Sequence, residues 1–325
     1  MIIKEFDNYD RSKLEARGLP IFENVKQLLD VLCITEKQEI LFFSKNGRKN
    51  LYRTKEIPKK HGGKRTLKIP VESLKIVQKA INNIILCSIR MSDNAHAYIK
   101  KKSIVTNAVP HISAKTLIKI DIKDFFPSIN LKHVFHQFRF LGYGENVSKY
   151  LAYLCVDDSL NLPQGAPTSP AISNLISLEM DKRIKSFCDL LNLKYTRYAD
   201  DITISSKARL IRKEIGLIKY MIYHIFTDLG FEANNDKFKV FSSGQRMSVT
   251  GVVINDKLSI PKAKKREIEN AIRYIKKYGL KGHLEHLGIE KNNYVGHLYG
   301  LASFIKMIDK EKGEAYFKAL NELNI

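Results

Sequence analysis

Apolar positions recur along this chain with a helical spacing in some stretches and a strand spacing in others, and the alternation divides it. Over residues 1–50 the spacing is helical. Val25 to Leu32 is amphipathic, and Thr35 followed by Gln38 is a capping box for a helix through Phe43. Residues 51–70 differ: from Lys59 to Pro70 a Gly62-Gly63 turn, flanked by basic residues, leads into a short strand stopped by the proline. A helix is predicted from Val71 to Arg90, with Leu74, Val77, Ile81, Ile84 and Ile85 as its core stripe. Residues 103–111 show no period and read as a loop. Leu117 to Ile120 is a short apolar strand interrupted by Lys119; Asp121 ends it and Pro127 breaks the segment after it. Helices are predicted over 131–142, closing at Gly142, and over 146–156. A Pro- and Gly-rich turn from Leu162 to Pro170 then delivers a helix from Ala171 to Leu191, with Ser169 as N-cap and Pro170 in its first turn. Lys194 to Ser205 reads as a β-hairpin, with Ala199, Asp200 and Asp201 between its arms. Met247 to Ile260 reads as another. Residues 261–325 are helical and basic: Pro261 opens one helix, a second runs from about Asn292 to Ile308, and a third from about Glu311 to Leu323.

With 325 residues and 44% hydrophobic content, the chain supports one large domain or two to three subdomains. No repeat, low-complexity tract or linker separates them, so they are expected to be tightly fused. The formal net charge of +21 is too one-sided for an ordinary enzyme of small neutral substrates. It calls for a polyanionic partner, nucleic acid first and an anionic membrane surface as the rival. No apolar run reaches transmembrane length and the N-terminus is no signal peptide. Cys33, Cys87, Cys155 and Cys188 lie in apolar helical patterns without a CxxC, as reduced core cysteines of a cytosolic protein do. His133/His136 and His283/His286 have HxxH spacing but no third ligand nearby, so zinc is not expected.

Asp200 and Asp201 suit a solvated turn when taken alone. They also repel each other, which makes them half of a divalent-metal site if another carboxylate joins them. Asp121, at the end of a buried strand, is that partner: neighbouring strands would bring Asp121 and Asp200 to one spot with Asp201 near. Such a cluster of hard oxygen ligands suits Mg²⁺. In a strongly basic chain, acids flanked by basic segments are what nucleotidyl transfer requires. The bases hold phosphates and the acids hold two metal ions. Lys64, Arg65 and Lys68 on the flexible turn are suited to gripping a triphosphate. Gln164 and its loop backbone would lie beside the base pair and the incoming nucleotide.

In order and spacing these motifs resemble those of reverse transcriptases, over roughly residues 50–260. Asp121 with its strand resembles the first catalytic motif, and Leu162, Pro163, Gln164 and Gly165 resemble the loop that contacts template and nucleotide. Tyr198, Ala199, Asp200 and Asp201 resemble the Tyr-x-Asp-Asp turn. The resemblance implies an α+β right-hand polymerase. N-terminal helices and fingers would occupy 1–110. The palm would occupy 111–245, with finger elements interleaved around 130–175, and a primer-grip hairpin and helical thumb 246–325. It implies that Asp121, Asp200 and Asp201, with the Ile122 backbone carbonyl, hold two Mg²⁺. Arg65, Lys68, Asp124, Phe125, Phe126, Gln164 and Lys237 would contact the nucleotide, Phe126 as a steric gate against the ribose 2′-OH and Lys237 as proton donor to pyrophosphate.

Asn107 to His111 resembles the Asn-Ala-x-x-His motif of retron reverse transcriptases, and Val249, Thr250 and Gly251 resemble their Val-Thr-Gly motif. This implies a bacterial, cytoplasmic retron enzyme. Its partner would be a structured non-coding RNA that is partly template and carries a guanosine 2′-OH as primer, and its product a branched RNA-linked single-stranded DNA. The RNA would be bound by Asn107, His111, Val249, Thr250, Gly251, Lys262, Lys264, Lys265 and Arg266. An anti-phage role with a separate effector protein, and no membrane, completes what the resemblance implies. The alternatives are another class of reverse transcriptase, such as a group II intron-like enzyme, and a non-catalytic RNA-binding protein on the same scaffold.

Overall fold

The structure is a computed structural model that describes residues 7–58, 62–288 and 293–323. Four short helices come first: α1 (Arg11–Ala16), α2 (Val25–Val31), α3 (Glu36–Phe43) and α4 (Lys45–Arg48). Their starts follow local chemistry. Asp10, Asn24, Thr35 and Ser44 each accept a backbone N–H with a side-chain oxygen, and Thr35 forms the expected capping box with Gln38. Arg48 is buried, and its guanidinium donates to the carbonyls of Phe42, Tyr153, Val156 and Asp157.

Strands β1 (Tyr52–Pro58) and β2 (Lys64–Pro70) form an antiparallel ribbon, and Gly62 and Gly63 have left-handed φ angles of 91° and 77°. The first residues of the expected basic turn, Lys59 to His61, lie outside the described residues, as does Asn292. Helix α5 (Glu72–Ile84) buries Leu74, Val77 and Ile81 of the expected stripe, with Ile84 half-buried and Ile85 buried just after it. It stops earlier than predicted, passing through a 3₁₀ turn at Leu86–Ser88 to extended backbone at Ile89.

The stretch read as a loop is helical: α6 (Ile104–Ala108) continues into a 3₁₀ turn, Val109–His111. Ser103 caps it, accepting from the Val105 and Thr106 N–H groups, while Thr106 Oγ1 accepts from the Ser103 N–H. A helix of one turn is fixed by its cap and is too short to show a period.

The sheet that organises the molecule has four strands: β3 (Thr116–Asp121), β4 (Lys194–Tyr198), β5 (Asp201–Ser206) and β6 (Lys239–Ser242). They run in the order β4-β5-β3-β6, antiparallel throughout. Its inner face carries Ile118, Ile120, Ile202, Ile204 and Tyr195, all in the main core. A one-residue slip of β3 would turn Ile118 and Ile120 out of that core, at a cost of about 1.5–3 kcal/mol for each side chain.

Between β3 and β4 run α7 (Phe125–Ser128), α8 (Leu131–Leu141), α9 (Glu145–Cys155), α10 (Ser169–Ile176) and α11 (Leu178–Leu190). Gly142 closes α8 with φ 119°, as predicted. The single helix expected over 171–191 is instead this pair, α10 and α11, meeting at Ser177, and the residue before α10 is Thr168 rather than Ser169. Ser173 and Ser177 donate their hydroxyls back to the carbonyls of Pro170 and Ser173, which bends a helix at serine positions.

After α12 (Arg212–Asp228) and β6 comes the predicted hairpin, β7 (Ser248–Val249) with β8 (Val252–Val253). Three helices finish the chain: α13 (Lys262–Leu287), bent where Gly279 has φ 73°, α14 (Tyr294–Ile308) and α15 (Lys310–Asn321). They have their own core, with Ile268, Ile275, Leu298 and Ile305 fully or almost fully buried. A third cluster, Ala108, Leu117, Met247, Val249, Val252 and Ile254, joins α6, β3 and the hairpin and is packed by Ile308 of α14.

Candidate active site

Toward the Asp121 end the outer face of the sheet is polar, and the register decides which groups meet there. Asp121 lies directly opposite Asp201, with Tyr198 opposite Asp201 on the far side. The two residues between β4 and β5 are Ala199 and Asp200, and Ala199 has a φ of 57°. Asp200 thus forms the tip and Asp201 begins a strand, so the two adjacent aspartates are presented differently. The Ile122 N–H donates to the Asp200 carbonyl at 3.1 Å, which ties the tip to the end of β3.

The electrostatics follow from this register. Burial, then the charges of Asp201 and Asp121, push the Asp200 carboxyl up to about 6. Loss of water around its carboxyl, then Asp121, raise Asp201 as well, and Asp201 and Asp121 are close enough to share a hydrogen bond. Lys237 Nζ donates to Asp121 Oδ2 at 2.8 Å. That bond outweighs the burial that would lower the Lys237 ammonium and raises it above its ordinary value. Asn234 donates its N–H to the Asp121 carbonyl, and Lys123 pairs with Glu232, so the 232–237 segment is laced to this strand end.

Among the described residues, no group of three or more His, Cys, Asp or Glu side chains is already arranged to hold a metal ion. Lys237 occupies one Asp121 oxygen. The donor chemistry still fits a divalent cation: hard carboxylates converge at one sheet end, and two of them are driven toward protonation by burial and then by charges that a cation would neutralise.

Asp124 is exposed, in the left-handed region (φ 44°), and opens α7. Phe125, expected near the nucleotide, is buried against Phe231, so only its backbone remains for that contact. Phe126 is half-buried, and the ring of Tyr98 meets it edge-on at 6.4 Å. Tyr98 escaped the sequence reading. It has a φ of 61°, rare for a bulky residue, and its hydroxyl is raised by burial and then by Asp200 and Tyr198, with Arg65 opposing. No sequence pattern signals such a backbone.

The Leu162 to Gly165 loop is stitched to the ribbon: the Lys68 N–H donates to the Gln164 carbonyl at 2.9 Å. Gly165 has φ 130°, and a Cβ there would stand 2.8 Å from the Lys68 carbonyl, so the approach requires glycine. Arg65 is exposed and makes no ion pair among the described residues. Lys68, expected to clamp phosphates, is instead engaged by Asp157 at 2.8 Å and Asp158 at 2.6 Å. An ammonium between two carboxylates binds the ribbon to the 157–158 turn.

Three residues expected to touch RNA are interior. His111 is fully buried, with Nδ1 2.7 Å from Ser205 Oγ and Nε2 2.8 Å from Thr196 Oγ1. Asn107 is fully buried and donates through Nδ2 to Thr250 Oγ1 at 3.5 Å, while Thr250 donates to the Ile104 carbonyl at 3.0 Å. Val249 belongs to the third core. The two motifs therefore dock on each other, and a side chain without exposed surface cannot reach RNA. Of this set Gly251 is exposed and Thr250 partly so. On α13, Lys262 and Arg266 are exposed, whereas Lys264 Nζ lies 4.6 Å from the centre of the Phe304 ring and Lys265 pairs with Glu269 at 3.6 Å.

A family model described as "Reverse transcriptase (RNA-dependent DNA polymerase)" matches residues 57–274. The chain is 30% identical to the retron Ec86 reverse transcriptase of Escherichia coli over 324 residues, covering 99% of this chain and 96% of that protein. It is also 30% identical to the retron Mx162 reverse transcriptase of Myxococcus xanthus, over 96% of this chain and 69% of the relative. With the retron Mx65 reverse transcriptase of the same organism it shares 28% identity, over 94% and 73%.

Proposed function

The chain belongs to the reverse transcriptases, and among them to those of bacterial retrons, and we propose that it copies part of a cognate structured RNA into DNA from a ribose 2′-OH at a site built on Asp121, Asp200 and Asp201. Its activity is that of an RNA-directed DNA polymerase, a family that uses divalent metal ions. The observation that carries the site is the register: Asp121 faces Asp201 across two strands, with Asp200 at the adjoining tip.

In this reading the three carboxylates, with the Ile122 carbonyl, hold two Mg²⁺. The bound ions lower the cost of deprotonating the primer hydroxyl and offset charge on the phosphoryl group. Lys237 leaves Asp121 when the ligands engage and turns its ammonium toward the pyrophosphate, as proton donor. The exposed backbone from Lys123 to Asp124 follows the triphosphate, Arg65 reaches it from the ribbon, and Gln164 orients the nucleotide. Phe126, backed by Tyr98, closes the space beside the sugar 2′ position. The RNA stem lies against the thumb, contacted by Lys262, Arg266, Thr250 and Gly251, with Lys264 and Lys265 behind them.

Guanosine 2′-OH priming, the branched RNA–DNA product, a cytoplasmic location and an anti-phage role with a separate effector rest on retron kinship. Co-expression with the RNA encoded beside the gene tests the priming step. Small DNA is extracted and treated with a debranching enzyme. The expected result is a DNA band that shifts on debranching; a band that does not shift would remove 2′-OH priming and leave a reverse transcriptase of another class.

A further inference from the structure

Arg197 is the largest fully buried side chain among the described residues, and nothing in the proposed chemistry uses it. It lies on β4 between Thr196 and Tyr198, which face the polar side of the sheet, and so points the other way. A guanidinium without water needs every donor matched. Asp181 on α11 takes two: Arg197 Nε donates to Oδ1 at 2.7 Å and Nη2 to Oδ2 at 2.7 Å. Tyr195 adds its hydroxyl to Asp181 Oδ1 at 2.6 Å. The remaining nitrogen, Nη1, does different work. It donates to the Ala199 carbonyl at 3.1 Å and to Asn174 Oδ1 at 3.1 Å.

The Ala199 carbonyl belongs to the peptide that joins Ala199 to Asp200. Ala199 is left-handed (φ 57°), a conformation non-glycine residues seldom hold unaided. Fixing that peptide plane fixes the direction in which Asp200 leaves the chain. The other arm does the same for a second peptide. Asn174 Nδ2 donates to the Ala97 carbonyl at 2.9 Å, in the peptide that leads to Tyr98, itself left-handed and lying against Phe126. Backbone bonds from Arg197 N to the Asn94 carbonyl and from His96 N to the Arg197 carbonyl hold that segment beside β4.

We propose that Arg197, clamped by Asp181, is a positioning residue that sets both the aspartate tip and the Tyr98–Phe126 wall from beneath the sheet. This rests on the reading of Asp200 as a metal ligand. Arg197→Lys tests it, because lysine keeps a charge beside Asp181 but lacks the fork that reaches the Ala199 carbonyl and Asn174 together. Three readouts are taken on the full chain with its RNA: single-nucleotide extension kinetics, Mn²⁺ binding by electron paramagnetic resonance, and thermal melting. The expected result is a fall in kcat of about 100-fold from a small misplacement, with KM for dNTP within about threefold. Mn²⁺ binding weakens and discrimination against rNTP loosens in a variant that melts earlier than the wild type but is still folded at the assay temperature. If Arg197→Lys does not fold, the apolar pair Arg197→Met/Asp181→Leu takes its place, since such replacements of buried ion pairs are tolerated. A folded variant with wild-type kcat and Mn²⁺ affinity would overturn the proposal, and so would a loss of kcat that tracks lost stability with Mn²⁺ affinity unchanged. Asp200→Asn is run alongside: full activity there would overturn the reading of Asp200 itself.

Discussion

Phe126 has two neighbours of different character. Phe125 beside it is buried and packs on Phe231, while Tyr98 meets Phe126 edge-on and is itself exposed. Phe126 is half-buried at the edge of the main core, so its ring keeps some accessible surface that a fully enclosed core ring would lack. Phe126→Ala is therefore expected to raise rNTP incorporation relative to dNTP by about 10- to 100-fold, within the range that even one methylene of pocket volume is worth. Competitive extension with mixed nucleotides measures it, and unchanged discrimination would reduce Phe126 to a packing residue.

At the scale of elements, His111 joins the turn after α6 to both β4 and β5 through Thr196 and Ser205. Burial holds its imidazole down to about 3, and burial also holds His96 down to about 4. A lowered histidine is neutral in the folded chain and protonates on unfolding. The unfolded chain then binds more protons below pH 6.5, and stability falls as pH drops from there toward the folded values. His111 alone accounts for about 2 kcal/mol between pH 7 and pH 5. Urea midpoints at those pH values should fall for the wild type and fall less for His111→Asn; equal losses would contradict the assignment.

Elements of this kind also mark what the sequence could show. The β3 strand, the 194–205 hairpin and the Gly142 stop were legible because alternation, turn residues and a C-cap act over a few neighbours. The one-turn α6 was not, because a cap without a period looks like a loop. Nor were the long-range pairings. Lys68 with Asp157 and Lys237 with Asp121 join residues far apart in the chain, and composition ranks no acid above another as a partner. The aspartates were legible as a set from spacing, but their opposition across β3 and β5 is a property of register. Asn107, His111 and Val249 were legible as motif residues, yet only burial shows that they face inward.

On the scale of the whole molecule, the +21 charge and the acidic sheet end are complementary. Repulsion among the carboxylates costs stability unless cations join them, and a cation-loaded acidic site within a basic chain attracts phosphates from every side. The core of the three C-terminal helices is separate from the main one, and a third cluster contains Ala108 and Val249, one residue from each retron motif. Among the described residues no helix is long and apolar enough to cross a membrane. In the proposed reading the exposed Lys262 and Arg266 of α13 face RNA.

The central claim is that Asp121, Asp200 and Asp201 carry DNA synthesis. The most direct measurement is Mg²⁺-dependent extension with dNTPs on the cognate RNA by purified wild type and by Asp200→Ala/Asp201→Ala, with melting curves for both. The predicted result is a folded double variant that binds RNA and makes no DNA. A folded double variant that still extends the primer would contradict the claim.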